Sequence, residues 1–342
     1  MLTHPTKMAQ EIEEIPEAVD RLLTQGSNAV QTAATAARDL DARLLLSVAR
    51  GSSDHVCTFL KYASELLLRR PMASVGPSVK SLYDTDLLSD GALCLSVSQS
   101  GRSPDIVSMT RSLKAGGGLT VAITNDPASP LAEAAELTLP VHAGPEVSVA
   151  ATKTFVTSMV AGLWLIAEIK RDQDLMDALH ALPEVLAKSI TCDWSEVAEA
   201  LTGQSVFTIG RGPSWAVAGE AALKFKETCL IHAESYSSAE VLHGPVSIVG
   251  SGFPVIGFAA SDAAETSLVD VADALADKGA TVFVTSDRAQ SAQRLPHVRT
   301  AHWLTDPVST IVSFYVMVES VARMRGIDPD RPRHLNKVTE TV

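Results

Sequence analysis

The sequence predicts an α/β protein of two tandem, doubly wound parallel-sheet domains, preceded by N-terminal helices and followed by a C-terminal tail. Three observations predict it. Short apolar runs at Leu44–Ala49, Ala92–Ser98, Leu119–Thr124 and Leu137–Val141 alternate with helical stretches at Val56–Leu68, Asp105–Ala115 and Thr152–Ile169. Such alternation builds a mostly parallel sheet with helices on both faces. A second series places strands near Val206–Gly210, Val255–Ala259 and Thr281–Thr285, and helices near Val217–Thr228, Glu265–Asp277 and Val308–Arg325. The two series also align by hand, LLLSVARGSSDHV at 44–56 with SVFTIGRGPSWAV at 205–217, and GALCLSVSQSG at 91–101 with FPVIGFAASDA at 253–263. That is the signature of a duplicated unit.

In chain order, residues 1–40 read as two covering helices. The first is Glu11–Leu23, with Ile12, Ile15, Val19, Leu22 and Leu23 on one face, and the second is the alanine-rich run Asn28–Leu40. The first domain spans 41–172, a helical, charge-bearing connector spans 173–200, the second domain spans 201–326, and the tail covers 327–342. Taken alone, the tail's proline and charge read as a loose end.

The 342 residues are 46% hydrophobic and 20% charged, enough for about two cores in a globular protein. A net charge of −12 argues against nucleic acid or an anionic membrane surface as partner, so an anionic substrate must be held by aimed local dipoles. Cys57, Cys94, Cys192 and Cys229 form no CxxC pair, which suits a reducing cytoplasm. The N-terminus lacks an apolar signal core, and the apolar stretch Phe155–Ile169 is too short and mixed to span a bilayer. No histidine pair has metal-ligand spacing, and Gly116-Gly117-Gly118 reads as a helix-to-strand turn, so the sequence calls for no metal or nucleotide cofactor.

The most informative segment is LCLSVSQSGRSPD at 93–105. An apolar strand runs into Ser98, Gln99, Ser100 and Ser103, then into a helix that opens with Pro104. Hydroxyls, an amide and the free N–H groups of a helix start point donors at one spot, where the helix dipole adds positive charge. A phosphate would fit there. Ser103-Pro104 also reads as an ordinary N-cap and N1 pair, which accounts for two of these residues without a ligand. In α/β sheets ligands sit beyond the carboxyl ends of the strands, where this loop and the Arg50-Gly51-Ser52-Ser53 turn both lie. The matching loop of the second half, Ala260–Glu265, carries Asp262 and Glu265, whose charges would repel a phosphate. One anchor per chain is expected.

The densest polar segment is 219–245, GEAALKFKETCLIHAESYSSAEVLHGP. On a helix Glu220, Lys224 and Glu227 share one face, and the plain reading is a solvated, salt-bridged surface. His243-Gly244-Pro245 fixes an imidazole on a turn where it can face a cleft or serve as a capping or core histidine. His232 reads as buried against a backbone partner.

Together these segments resemble the sugar isomerase (SIS) family. The likeness is nearest to the isomerase half of glutamine:fructose-6-phosphate amidotransferase and to stand-alone, isomerising glucosamine-6-phosphate deaminases. It rests on Ser98-Gln99-Ser100-Gly101, on Val149-Ala150-Ala151-Thr152-Lys153, on the block from Glu220 to His243-Gly244-Pro245, and on the tail from Asp328 to Lys337. The resemblance implies flavodoxin-like domains and a phosphosugar-binding site of Ser53, Ser98, Gln99, Ser100 and Ser103, with Val149 and Ala151 beside the sugar. It implies Glu227 as the base between C1 and C2, His243 for ring opening, and Lys337 in a lid over the intermediate. It also implies a homodimer in which the histidine reaches the neighbouring pocket.

Two departures stand out. Ala151 replaces a serine of the synthase pattern, and Arg102 replaces an acidic residue, so Arg102 either strengthens the phosphate site or faces solvent. Met1 leads directly into the helices and the first cysteine is Cys57. The expectation is therefore a chain without a glutaminase domain, running toward removal of ammonia: glucosamine 6-phosphate to fructose 6-phosphate. The alternatives are another phosphosugar isomerase or deaminase, on galactosamine 6-phosphate or a fructosamine phosphate, and a sugar-phosphate sensor without turnover.

Overall fold

The computed structural model describes residues 5–335 and 337. They form two compact units, one of 17–146, 153–180 and Lys337, the other of 5–16, 147–152 and 181–335.

The first unit is built on a five-stranded, all-parallel sheet of β1 (Leu44–Val48), β2 (Met72–Ser74), β3 (Ala92–Val97), β4 (Leu119–Thr124) and β5 (Leu137–Pro140). The order is β2-β1-β3-β4-β5, so the winding reverses between β1 and β3 and leaves a crevice at their carboxyl ends. Every residue of β3 and β4 is buried. A central parallel strand is covered on both faces, which is why both read as unbroken apolar runs. The helix Lys153–Lys170 is the core of this unit, with 15 of its 18 residues buried. Gly162 lets it approach its neighbour: a Cβ there would stand 2.4 Å from Leu60 Cδ1. Among the described residues no helix is long and apolar enough to cross a membrane.

The second unit repeats the plan with β6 (Ser205–Gly210), β7 (His232–Ser237), β8 (Pro254–Phe258), β9 (Thr281–Val284) and β10 (Gln293–Arg294), in the order β7-β6-β8-β9-β10. Gly51 and Gly212, opposite each other in the hand alignment, both turn the chain after the first strand with φ of +56° and +57°. The edge strand β7 escapes a hydrophobicity search because HAESYS is polar. His232, expected to be buried, is exposed at its start, and its backbone N–H donates to Gln204 O at 2.9 Å.

Two further expectations change. The helix read as Glu11–Leu23 is two, Lys7–Glu13 and Ile15–Gln25. The break falls just before Pro16, which has no N–H to continue a ladder. The tail is not loose up to Leu335, because the Asp330 carboxylate accepts the Lys7 and Met8 N–H groups at 2.7 and 2.8 Å and so caps the first helix.

Candidate active site

The serine loop sits where the first sheet changes direction. Ser98 N–H extends the ladder to Ile123 O, and its Oγ accepts Gly101 N–H at 3.2 Å. Ser100 Oγ accepts Arg102 N–H at 3.3 Å, and Gln99 O takes Asn125 N–H at 3.1 Å. The loop closes around Gly101, whose φ is +62° and whose missing Cβ would lie 2.1 Å from Ser129 Oγ. Both facts demand glycine. If the loop holds a phosphate, Gly101→Ala is expected to distort it and weaken binding of inorganic phosphate at least tenfold, as measured by calorimetry, while far-UV circular dichroism stays near wild type.

Ser103 has the backbone of an N-cap, yet its hydroxyl makes no capping bond. The capping reading thus accounts for its conformation and leaves the side chain for another acceptor. Ser53 lies in the first turn of the helix Ser52–Ala63, which starts at the end of β1, the strand beside β3. Arg50 joins the two exits: its Nε and Nη2 donate to Asp105 Oδ2 at 3.0 and 2.9 Å, on the first turn of the helix Pro104–Ala115. Arg102 is an exposed surface residue paired with Asp126 at 3.2 Å.

The matching loop of the second unit needs a correction. Its acids do not stand as a bare repulsive patch, because Glu265 is buried against Arg299 at 2.6 Å and Ser286 at 2.8 Å. The loop's own donors are also occupied: Ser261 N–H and Oγ–H both donate to Asp306 Oδ2, at 2.8 and 2.6 Å. An internal carboxylate fills the place that an external anion would need.

The helix Ser214–Cys229 overturns the solvated-face reading. The side chains of Glu220 and Lys224 are fully buried, and that of Glu227 is 20% exposed. Lys224 Nζ lies 3.4 Å from Glu220 Oε1 and donates to Glu227 Oε2, while Tyr315 OH donates to Glu220 Oε1 at 3.1 Å. Burial by itself would lower the Lys224 ammonium, but the two carboxylates outweigh it and hold it above the ordinary lysine range. The lysine therefore stays charged, and Glu227 is the member of the triad that meets solvent.

His243 ends the 3₁₀ turn Glu240–His243, next to Gly244 at φ +142°. It is exposed and makes no side-chain hydrogen bond among the described residues. Val149 and Ala151 lie half-buried in the segment 147–152. Lys337 Nζ pairs with Glu146 Oε2 at 3.0 Å, and the buried Glu146 also accepts Thr154 N–H at 3.0 Å and Thr154 Oγ–H at 2.6 Å. The first unit thus holds Ser53, Ser98, Gln99, Ser100, Ser103 and Lys337, and the second holds Val149, Ala151, Glu227 and His243. Among the described residues no group of three His, Cys, Asp or Glu is placed to hold a metal.

Two segments, 40–168 and 203–324, match the sequence profile of the SIS domain. The chain belongs to the SIS domain family. Its similarity to curated proteins runs along nearly its whole length. It is 30% identical to the isomerizing glutamine–fructose-6-phosphate aminotransferase of Thermococcus kodakarensis and 32% identical to that of Pyrobaculum aerophilum, over 98% and 99% of this chain. It spans 58% of the length of each. Among solved structures, one described as a candidate phosphosugar isomerase from Silicibacter pomeroyi DSS-3 is 61% identical. It superposes with a TM-score of 0.93 over 95% of this chain and 100% of that one. The C-terminal domain of glucosamine-fructose-6-phosphate aminotransferase from Francisella tularensis, at 24% identity, has the same fold, with a TM-score of 0.87 over 96% of this chain and 99% of that one.

Two residues of this SIS protein were invisible to sequence reasoning. Glu11, in the helix Lys7–Glu13, accepts Val147 N–H, Ser148 N–H and Ser148 Oγ–H and so shapes the loop that carries Val149 and Ala151. Glu146 holds Lys337. Neither stands out among surface-like acids, since a carboxylate's burial is decided by what folds over it.

Proposed function

We propose that the chain is a phosphosugar enzyme that moves a proton between C1 and C2 of an open-chain sugar phosphate. Its substrate in this reading is glucosamine 6-phosphate and its products are fructose 6-phosphate and ammonia. The observation that carries the reading is the Glu220–Lys224–Glu227 triad. A carboxylate that is partly exposed and hydrogen-bonded to a buried ammonium is held in one geometry, as a base serving two adjacent carbons requires. The serine loop supports the other half, a phosphate grip of hydroxyls and helix-start N–H groups. His243 opens the ring by protonating its oxygen, Glu227 shuttles the proton through an enolamine, Lys337 steadies the developing charge, and water replaces the amine at C2 as ammonia leaves.

The test is to incubate the protein with glucosamine 6-phosphate and follow ammonia and fructose 6-phosphate. Stoichiometric release of both is expected. Interconversion of aldose and ketose phosphates without ammonia would make it a plain isomerase, and tight binding with no turnover, unchanged in Glu227→Gln, would make it a sensor.

The resemblance also implies a homodimer, and the exposure of His243 supports it: Leu242 and Ile248 beside it are 46% and 59% exposed. If His243 serves the neighbouring site, mixing inactive Glu227→Gln with inactive His243→Ala should restore about a quarter of wild-type activity. Random exchange makes half the dimers mixed, and each mixed dimer has one intact site of two. No recovery after confirmed exchange would place the histidine in its own chain's site.

A further inference from the structure

The first turns of both helices that frame the serine loop carry an acid: Asp54 in Ser52–Ala63 and Asp105 in Pro104–Ala115. This is where a phosphate would meet the helix dipoles, so two carboxylates there work against it. Asp105 is fully buried, while Arg50, its partner, keeps 51% of its side chain exposed. Among the described residues, both Arg50 side-chain bonds go to the single oxygen Asp105 Oδ2, through Nε and Nη2. A guanidinium has five N–H donors in a rigid fork, so most of the Arg50 fork remains available at the rim of the loop. The buried carboxylate fixes its plane.

We infer that Arg50 is a phosphate-binding residue of the anchor, a guanidinium tethered by Asp105 so that its open edge takes phosphate oxygens and selects phosphorylated over unphosphorylated sugars. The inference rests on the proposed phosphosugar function and adds a charged contact to a grip otherwise made of neutral donors. Its surroundings agree. Burial pushes the Asp54 carboxyl up and Arg50 pulls it back, so the cation acts on the acids of both helix starts. The other guanidinium near the loop, Arg102, is committed to Asp126 on the surface.

The experiment is calorimetric titration of the whole protein with inorganic phosphate and with glucosamine 6-phosphate. Arg50→Gln should weaken both by about 10- to 100-fold, the worth of a charge-assisted hydrogen bond. Because that variant leaves Asp105 buried without its cation, the double variant Arg50→Gln/Asp105→Asn is measured too, and it should remain at least about tenfold weaker. Wild-type affinity in the single variant, or full recovery in the double, overturns the inference, the second result meaning that Arg50 only neutralises Asp105. Ser100→Ala separates the two levels of the reading: weakened binding there with an unaffected Arg50→Gln removes Arg50 alone, whereas wild-type binding in both removes the anchor itself.

Discussion

Glu227→Gln is expected to lower kcat on a phosphosugar by about 10²- to 10⁴-fold, the range that a positioned general base supplies. The amide is isosteric and can still accept a hydrogen bond from Lys224, but it cannot take a proton from carbon. KM should move little, because the proposed phosphate grip belongs to a loop of the other sheet. Lys224 keeps Glu220 at 3.4 Å, so the fold should survive and circular dichroism should match wild type. A kcat within a few-fold of wild type would remove Glu227 from the chemistry.

The largest effect on stability is expected from Lys224→Met. Removing one member of a buried ion group leaves uncompensated charge in the interior, a loss of roughly 3–5 kcal/mol. In a chain of this size that is a fall in melting temperature of roughly 4–7 °C. Differential scanning calorimetry reads it directly, and Glu220→Gln/Lys224→Met should recover part of it.

The pH dependence gives a second readout. In the wild type the raised folded-state pKa of Lys224 means that its contribution is complete below the ordinary lysine value and is lost only as pH rises through the higher folded one. Stability should therefore not depend on this group near neutrality. In the variant, the fully buried Glu220 has lost its cation, and burial favours its protonated form. The defect should shrink on acidification, as the carboxyl takes up a proton. A defect that grows on acidification would show that Lys224 does not compensate Glu220.

Some of the structure was legible because it is periodic. β1, β3, β4 and their counterparts β6, β8 and β9 are buried strands, and burial on both faces writes itself as an apolar run. The loop after β3 was legible in the same way, as an apolar strand running into hydroxyls, a glycine and a helix-opening proline. What escaped were β2 and β10, three and two residues long, and the polar edge strand β7. The acids showed the same limit. Glu220 and Lys224 have the spacing of any exposed ion pair, and the buried Tyr315 beside them comes from a segment 95 residues away.

By itself, then, the sequence determined the α/β class and the duplicated plan, because these depend on local patterns of apolar and polar residues. Only the tertiary structure decided that the Glu220–Lys224–Glu227 face is buried, that Asp306 fills the second loop, that Glu11 and Glu146 brace the segments beside them, and that Arg50 is aimed by Asp105. The physical reason is common to all four. The state of a charged side chain depends on desolvation and on partners distant in sequence, and neither quantity exists until the chain has folded around it.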